Sequence, residues 1–476
     1  MILRVRHGRS DDAAPVRCRS ILAVALVLYA GLLGTLSVLK HATYHSSLID
    51  LGIFDQVIWN TAHGRWFWDT LDPYVQTSHN FLGQHFSPGL AILAPLYWVA
   101  PSVYTLLVAQ TLALALGAVP IFVLAARRLD DERIALLLAV AYLATPSLSY
   151  ANLFDFHEIA MTVPLLAWAV ERLDADRPKA ALALLCGALL FKEEIGLIVA
   201  AFGAFAALSQ GRRRLGAGLI ILGLGWIVAV VYVAVPHIRG GPYLFISRYQ
   251  GGLIEHGRLN LAYLGHFLSL TKVEYFALLM VPLLGLPLIG GWSVLLIVPT
   301  TLYTILSSYP LQYDYHYHYA APLLPLLFAG TVFGLPRLRP RARLPIAALV
   351  LILVAGSGWL VGPLPGERQW ASSQYTWGPR ERAMARLAAM VPATASLAVD
   401  NQMGAHLTER VWVTHFFTGY QQAQALLFDL KELSPTEAKR QAAITAIEHD
   451  PAWRLAGKED DIVLYLRRGI SPRTAR

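Results

Sequence analysis

The stretch SLIDLGIFDQVIWNTAHGRWF, residues 47 to 67, sets Asp50 and Asp55 among Leu, Ile, Phe, Val and Trp. Apolar surroundings disfavour a charged carboxylate, raise its pKa and make it a usable general base. Asp50 is the candidate for that role. A plainer reading stands beside it: Asp is a favoured N-cap, so Asp50 could open a helix, with Asp55 on its solvated face. GQHFSPG places His85 three residues before Pro88. His85 could donate to a phosphate, act as an acid, ligate a metal, or cap a helix that starts at the proline. YANLFDFHEIAM holds Asp155, His157 and Glu158. These could bind a metal ion or sugar hydroxyls, or an acid among them could simply favour a helix N-terminus.

In LLFKEEIGL, Lys192, Glu193 and Glu194 interrupt a long apolar block. A surface turn explains them without function, yet a lone Lys at headgroup depth suits a lipid phosphate. SSYPLQYDYHYHYAAP carries Asp314, Tyr315, His316 and His318. Tyrosines collect at membrane interfaces anyway, which leaves the histidines unexplained. Asp314 with the two histidines could ligate a metal, although the spacing is not diagnostic. Tyr315 and its neighbours offer aromatic faces with polar tips, suited to sugars and isoprenoid tails. HIRGGPYLFISRYQ adds Arg239 and Arg248, which could bind phosphate or sit on a covering loop.

The elements that must position these groups are membrane spans. Of 476 residues, 56% are hydrophobic and 15% charged, against about 25% charged in ordinary globular domains. The apolar residues come in long blocks, as in a polytopic membrane protein. The formal charge of +8 does not point to nucleic acid, because most Arg fall in short loops between those blocks. Cys18 and Cys186 imply no disulfide framework. Residues 1–19 form a basic tail with Arg4, Arg6, Arg9, Arg17 and Arg19, ahead of ILAVALVLYAGLLGTLSVL. No small-residue cleavage site follows, so an uncleaved first span is expected. Spans are expected near 20–39, 102–126, 133–150, 159–172, 179–191, 195–210, 215–236, 272–289, 292–308, 319–335 and 344–361, about eleven in all.

The basic loops ARRLDDER, ERLDADRPK, GRRRLG and PRLRPRAR fall on the side of the N-terminal tail. That side is therefore cytoplasmic. The same topology sends the carboxylate- and histidine-bearing segments to the opposite face, where membrane-edge charges usually line a cavity. A membrane domain over 20–361 is expected, with a large first extracytoplasmic loop at 40–101. In that loop FDQVIWNTAHGRWFW suits a helix lying in the interface plane. Residues 362–476 read as a small extracytoplasmic α/β domain: helices at 379–391 and from Ser434, strands at 396–400, 410–416, 425–430 and 461–466. Ser434 is a plausible N-cap.

DLGIFDQVIWN, HFSP, FDFHEIA, KEE and YHYHY together resemble the DUF2079 family of bacterial membrane proteins, from about Ser46 into the C-terminal domain. That family in turn resembles the GT-C superfamily, integral-membrane glycosyltransferases that use polyprenyl-phosphate sugars. The resemblance implies an all-α polytopic domain with a small C-terminal α/β domain in the cytoplasmic membrane. Its partners would be a polyprenyl-phosphate-linked sugar and membrane lipids. It implies Asp50 as catalytic base or acceptor-positioning carboxylate and Lys192 as a lipid-phosphate contact. His85 stands where relatives carry a Lys before prolines. Asp155, His157 and Glu158 match a second acidic loop more loosely. A divalent metal ion could help neutralise the phosphate.

Two other classes of function compete. A transporter or flippase for a lipid-linked or acidic solute would line a midplane path with charge, often in repeated halves. No internal repeat is visible, and the charges gather at one face. A membrane scaffold would leave Asp50 and Lys192 without a purpose.

Overall fold

The computed structural model describes residues 13–249, 254–255, 258–259, 269–432 and 437–473. Arg4, Arg6, Arg9 and Ser434 lie outside them. The chain is mostly helical, with a five-stranded sheet near its C-terminus.

Among the described residues, Arg17–Ala42, Val103–Leu129, Arg213–Arg239 and Pro340–Val361 are single helices long and apolar enough to cross a membrane. Glu132–Leu143 and Pro146–Phe154 form a fifth candidate, bent by 44°. Pro146 brings no N–H to the helical ladder, which accounts for the break. Length and composition thus identify four of the eleven expected spans as single helices, and a fifth as the bent pair. The segments at 159–172, 179–191, 195–210, 272–289, 292–308 and 319–335 contain shorter helices, among them Thr162–Asp174, Pro178–Leu189 and Leu270–Met280. The last of these stops before Leu284 and Gly285, both left-handed at φ 55° and 63°. Pro287 follows two residues after Gly285.

The helices Ile195–Gln210 and Arg213–Ala229 pack most closely through glycines. A Cβ on Gly203 would lie 2.6 Å from the Gly216 carbonyl oxygen. Only glycine permits that backbone approach, and dispersion between the closely packed helices holds the pair in lipid.

A small hairpin pairs β1 (Ile254–Glu255) with β2 (Arg258–Leu259). The main sheet contains β3 (Leu397–Val399), β4 (Val413–His415), β5 (Ala425–Asp429), β6 (Trp453–Glu459) and β7 (Ile462–Arg467), in the order β4-β3-β5-β7-β6. The first three strands are parallel, with Leu397 beside Val413 and Ala425; β7 is antiparallel to β5 and β6. Strand β6 was not expected from sequence: its residues beyond Trp453 are half-buried or exposed and lack an apolar alternation.

Side chains alternate between the two faces of each strand. Leu397, Val399, Leu427 and Leu464 pack with Met384 and Leu387 of the helix Pro379–Ala389. The same cluster takes in Leu48, Leu51, Phe54, Val57 and Ile58 from the first loop. Ala398, Leu426 and Val463 face the other way, against Ile444 and Ile447 of the helix Glu437–His449.

That shared core corrects the expectation of an interfacial helix. Ile53–Ala62 is buried except at Trp59 and Ala62, which are half-buried. Its polar residues hold the C-terminal segment in place. Gln56 Nε2 donates to Thr70 Oγ1 at 2.8 Å and to the Arg410 carbonyl at 3.3 Å, while Thr70 Oγ1 donates to the Val413 carbonyl at 2.6 Å. One apolar stripe on a short helix does not reveal that a distant segment will cover its remaining faces.

Candidate active site

Asp50 lies in a π-helical turn, Leu48–Gly52, that leads into Ile53–Ala62. It does not cap that helix: Gly52 occupies the cap position, with no side-chain bond. The turn is held from two directions. Ser47 N donates to Asp155 Oδ2 at 2.8 Å, and Ile49 N donates to Asn401 Oδ1 at 3.3 Å. The Asp155–His157 loop is fixed in turn by buried Gln110. Its Nε2 donates to the Asp155 carbonyl at 2.8 Å, and its Oε1 accepts from His157 N at 2.8 Å. His157 Nε2 consequently stands 3.7 Å from Asp50 Oδ1.

The second half of the site is fastened by backbone contacts. Gly89 N donates to the Leu190 carbonyl at 2.7 Å and Ser87 Oγ to the Phe191 carbonyl at 2.8 Å. This brings His85 Nδ1 to 2.7 Å from Glu193 Oε1, which also accepts from Tyr243 OH at 2.6 Å. Next to Glu193, Lys192 Nζ donates to Glu158 Oε1 at 2.6 Å, and both residues are buried.

These parts surround one cavity of about 1130 Å³. Asp50, His85 and His157 line it, as do Lys192, Glu193, Arg248 and His318. Asp155 and Glu158 stand behind this wall, each bonded to a lining residue. The remaining expected residues are elsewhere. Asp55 is buried between Tyr97 OH and Thr408 Oγ1, each donating at 2.6 Å, and acts as a structural tie. Arg239 ends the span Arg213–Arg239, and its backbone packs on Gly83. His316 bonds Asp314 at 2.6 Å and Gln369 at 3.2 Å, and Tyr315 accepts from Gln369 at 3.4 Å. A turn through Tyr315 and His316, followed by a short 3-10 helix from His318, produces the split: His318 lines the cavity while His316 and Tyr315 pack at Tyr150.

That split also separates the expected metal trio. His318 stacks on His157 at 3.6 Å, away from the Asp314–His316 pair. Elsewhere, ligand atoms of Asp400, His415 and Glu432 lie within 4.8 Å of one another. There Asp400 already accepts two bonds from Arg440, at 2.9 and 2.6 Å, so its carboxylate is committed to an ion pair.

Burial pushes the Asp50 carboxyl up, but the His157 ring, Ser47 and Lys40 outweigh it and hold it below the ordinary carboxylate range. Burial and nearby Lys192 pull the His85 imidazole down, against Glu193. Burial also favours neutral Lys192, yet Glu158 and the two following glutamates keep it firmly protonated. Glu194, unlike its neighbour, is pushed up to about 8 by burial and by Glu193, against Lys192.

Lys192 therefore carries a positive charge already matched by Glu158. Arg248 differs: its guanidinium lies 4.4 Å from the Phe245 ring centre and 4.1 Å from that of Tyr309, with no ion pair to a described residue. The aromatic faces hold a half-buried cation at the cavity wall. Away from the charges, Ile227, Val231, Leu302 and Leu306 continue the cavity wall as an apolar track. This track, Asn401 and the aromatic stack on Arg248 leave no signal in the sequence, because single apolar, amide or aromatic residues carry no motif.

The chain shares its fold with solved structures of ArnT from Cupriavidus metallidurans. The form bound to undecaprenyl phosphate aligns with a TM-score of 0.58 at 13% identity, over 95% of this chain and 98% of that one. The apo form aligns with a TM-score of 0.55 at 13% identity, over 94% and 97%. This is the GT-C fold, and a polytopic membrane protein with a small C-terminal sheet is its form here. No curated protein matches the chain. A family model described as predicted membrane protein, DUF2079, matches residues 40–464, and the chain belongs to that family.

Proposed function

We propose that the protein is an integral-membrane glycosyltransferase that moves a sugar from a polyprenyl-phosphate donor to a hydroxyl group outside the cytoplasmic membrane. One observation carries this reading: a carboxylate base, a guanidinium with no ion pair to a described residue, and an apolar track line a single cavity. A lipid phosphate has the matching parts, a charged head on a greasy chain. The shared fold adds weight, because ArnT in that fold holds undecaprenyl phosphate. The excess of Arg on the N-terminal side supports an extracytoplasmic cavity.

In the reaction, the acceptor hydroxyl oxygen attacks the anomeric carbon. The bond from that carbon to the phosphate oxygen breaks, and its electron pair leaves with the phosphate. Asp50 takes the hydroxyl proton. A single displacement inverts the anomeric carbon. Arg248 stabilises the charge that grows on the departing phosphate, in a site where such interactions are strong. Lys192, fixed by Glu158, adds a second positive centre.

The purified protein in lipid nanodiscs is expected to bind undecaprenyl phosphate, with affinity lowered about tenfold in Arg248→Ala. Cells lacking the protein should accumulate a polyprenyl-phosphate sugar and lose one glycosylated envelope species. Absence of both lipid binding and any envelope difference overturns the assignment.

A further inference from the structure

The C-terminal sheet does more than cover the first loop. Its strand β3 is followed at once by a short helix, Asn401–Gly404, and Asn401 lines the cavity. Ser47 Oγ lies 3.1 Å from Asn401 Oδ1, and Ile49 N lies 3.3 Å from the same atom. A backbone N–H only donates, so the atom facing Ile49 must be the amide oxygen. The NH₂ group is then the other branch of the amide, and it makes no hydrogen bond to a described residue.

The position within the sheet is also informative. From β3 the chain passes to β4 on one side, then crosses to β5 on the other. Asn401 follows the carboxyl end of β3, at the point where this order reverses. Ligands of open α/β sheets bind outside carboxyl ends at such a reversal. Close packing brings this end to the membrane site. Gly404 lies against Leu48, where a Cβ would come within 2.6 Å of Leu48 Cδ2.

Resting on the glycosyltransferase reading, we infer that Asn401 is the acceptor-positioning residue of the cavity. Its oxygen holds the turn that bears Asp50. Its NH₂ donates to an oxygen of the acceptor and so orients the reacting hydroxyl toward the Asp50 carboxylate. The acceptor class implied is a polyhydroxylated or carboxylate-bearing envelope molecule, which offers a second oxygen beside the reacting one. The donor lipid needs no contact with Asn401.

Asn401→Asp and Asn401→Ala, in the full chain, separate these functions. Asp retains an oxygen for Ser47 and Ile49 but presents no NH₂, whereas Ala lacks both. Undecaprenyl phosphate in nanodiscs is the binding probe. Envelope extracts from complemented cells report transfer through the ratio of glycosylated product to accumulated polyprenyl-phosphate sugar. The expected result is wild-type binding of undecaprenyl phosphate by both variants, within about twofold, with transfer lowered about tenfold in each. The pH at which Asp50 loses activity serves as a control for the added charge in Asn401→Asp. Wild-type transfer by Asn401→Asp overturns the inference and leaves only the clamp. Equal loss of lipid binding and transfer also overturns it, as a general structural defect. If the wild-type protein fails to bind the lipid, the donor assignment itself falls, which is a different outcome.

Discussion

Asp50 and His157 meet at 3.7 Å across the cavity wall, although they belong to loops more than a hundred residues apart. The imidazole is held by its stack on His318 and the carboxylate by its backbone turn, so the contact is imposed by both loops. Asp50→Asn keeps the shape and removes the base. Transfer is expected to fall by about 10²–10⁴-fold, while undecaprenyl phosphate still binds. Retained transfer in envelope extracts would move the base elsewhere.

The same contact sets a pH dependence. The Asp50 carboxyl sits below its ordinary range, so the base is ionised at neutral pH and activity falls only as the solution becomes acidic. The stability contributed by the depressed group follows the same direction, present above the unfolded pKa and lost as pH falls through the folded one. His157→Phe preserves a ring for the stack and removes the pull on Asp50. Burial then dominates, and the acid limb of the pH–rate profile should move toward neutral pH. An unmoved limb would mean that His157 does not tune Asp50.

The Lys192–Glu158 pair is buried, and removing one member strands the other. Glu158→Gln is expected to destabilise the protein by about 3–5 kcal/mol, read as a lower unfolding midpoint in detergent. The double change Glu158→Gln with Lys192→Met should recover much of that stability without recovering transfer. Equal stability of the single and double variants would show that the two residues are not coupled.

Asp55 links the first loop to the C-terminal segment through Tyr97 and Thr408. Asp55→Ala leaves both hydroxyls without their acceptor, at a cost of about 1–3 kcal/mol. Limited proteolysis should then cut faster between the last span and the sheet, with the membrane helices intact. Unchanged cleavage would assign the docking to the apolar cluster alone.

Much of this molecule is visible in one dimension. Apolar blocks mark membrane segments because burying backbone in lipid demands long runs of such side chains. Strands β3, β4, β5 and β7 show because buried parallel and central strands need apolar residues throughout. Asp50, His157 and Lys192 stand out because a charge beside apolar sequence is costly, wherever the chain later folds.

Which charges share a cavity was settled only in three dimensions. Asp50 and Asp55 look alike in sequence, yet one lines the cavity and the other is sealed beneath the C-terminal segment by Thr408. His316 and His318 differ by two residues and face different neighbours. Lys192 is matched by Glu158, a pairing across 34 positions, whereas Arg248 has no ion pair to a described residue and lies against Tyr309. The sequence determined the inventory of greasy helices and uncomfortable charges, since those follow from local composition. Tertiary structure decided the partners, because an ionised group is defined by whatever distant segments bring to within a few ångströms of it.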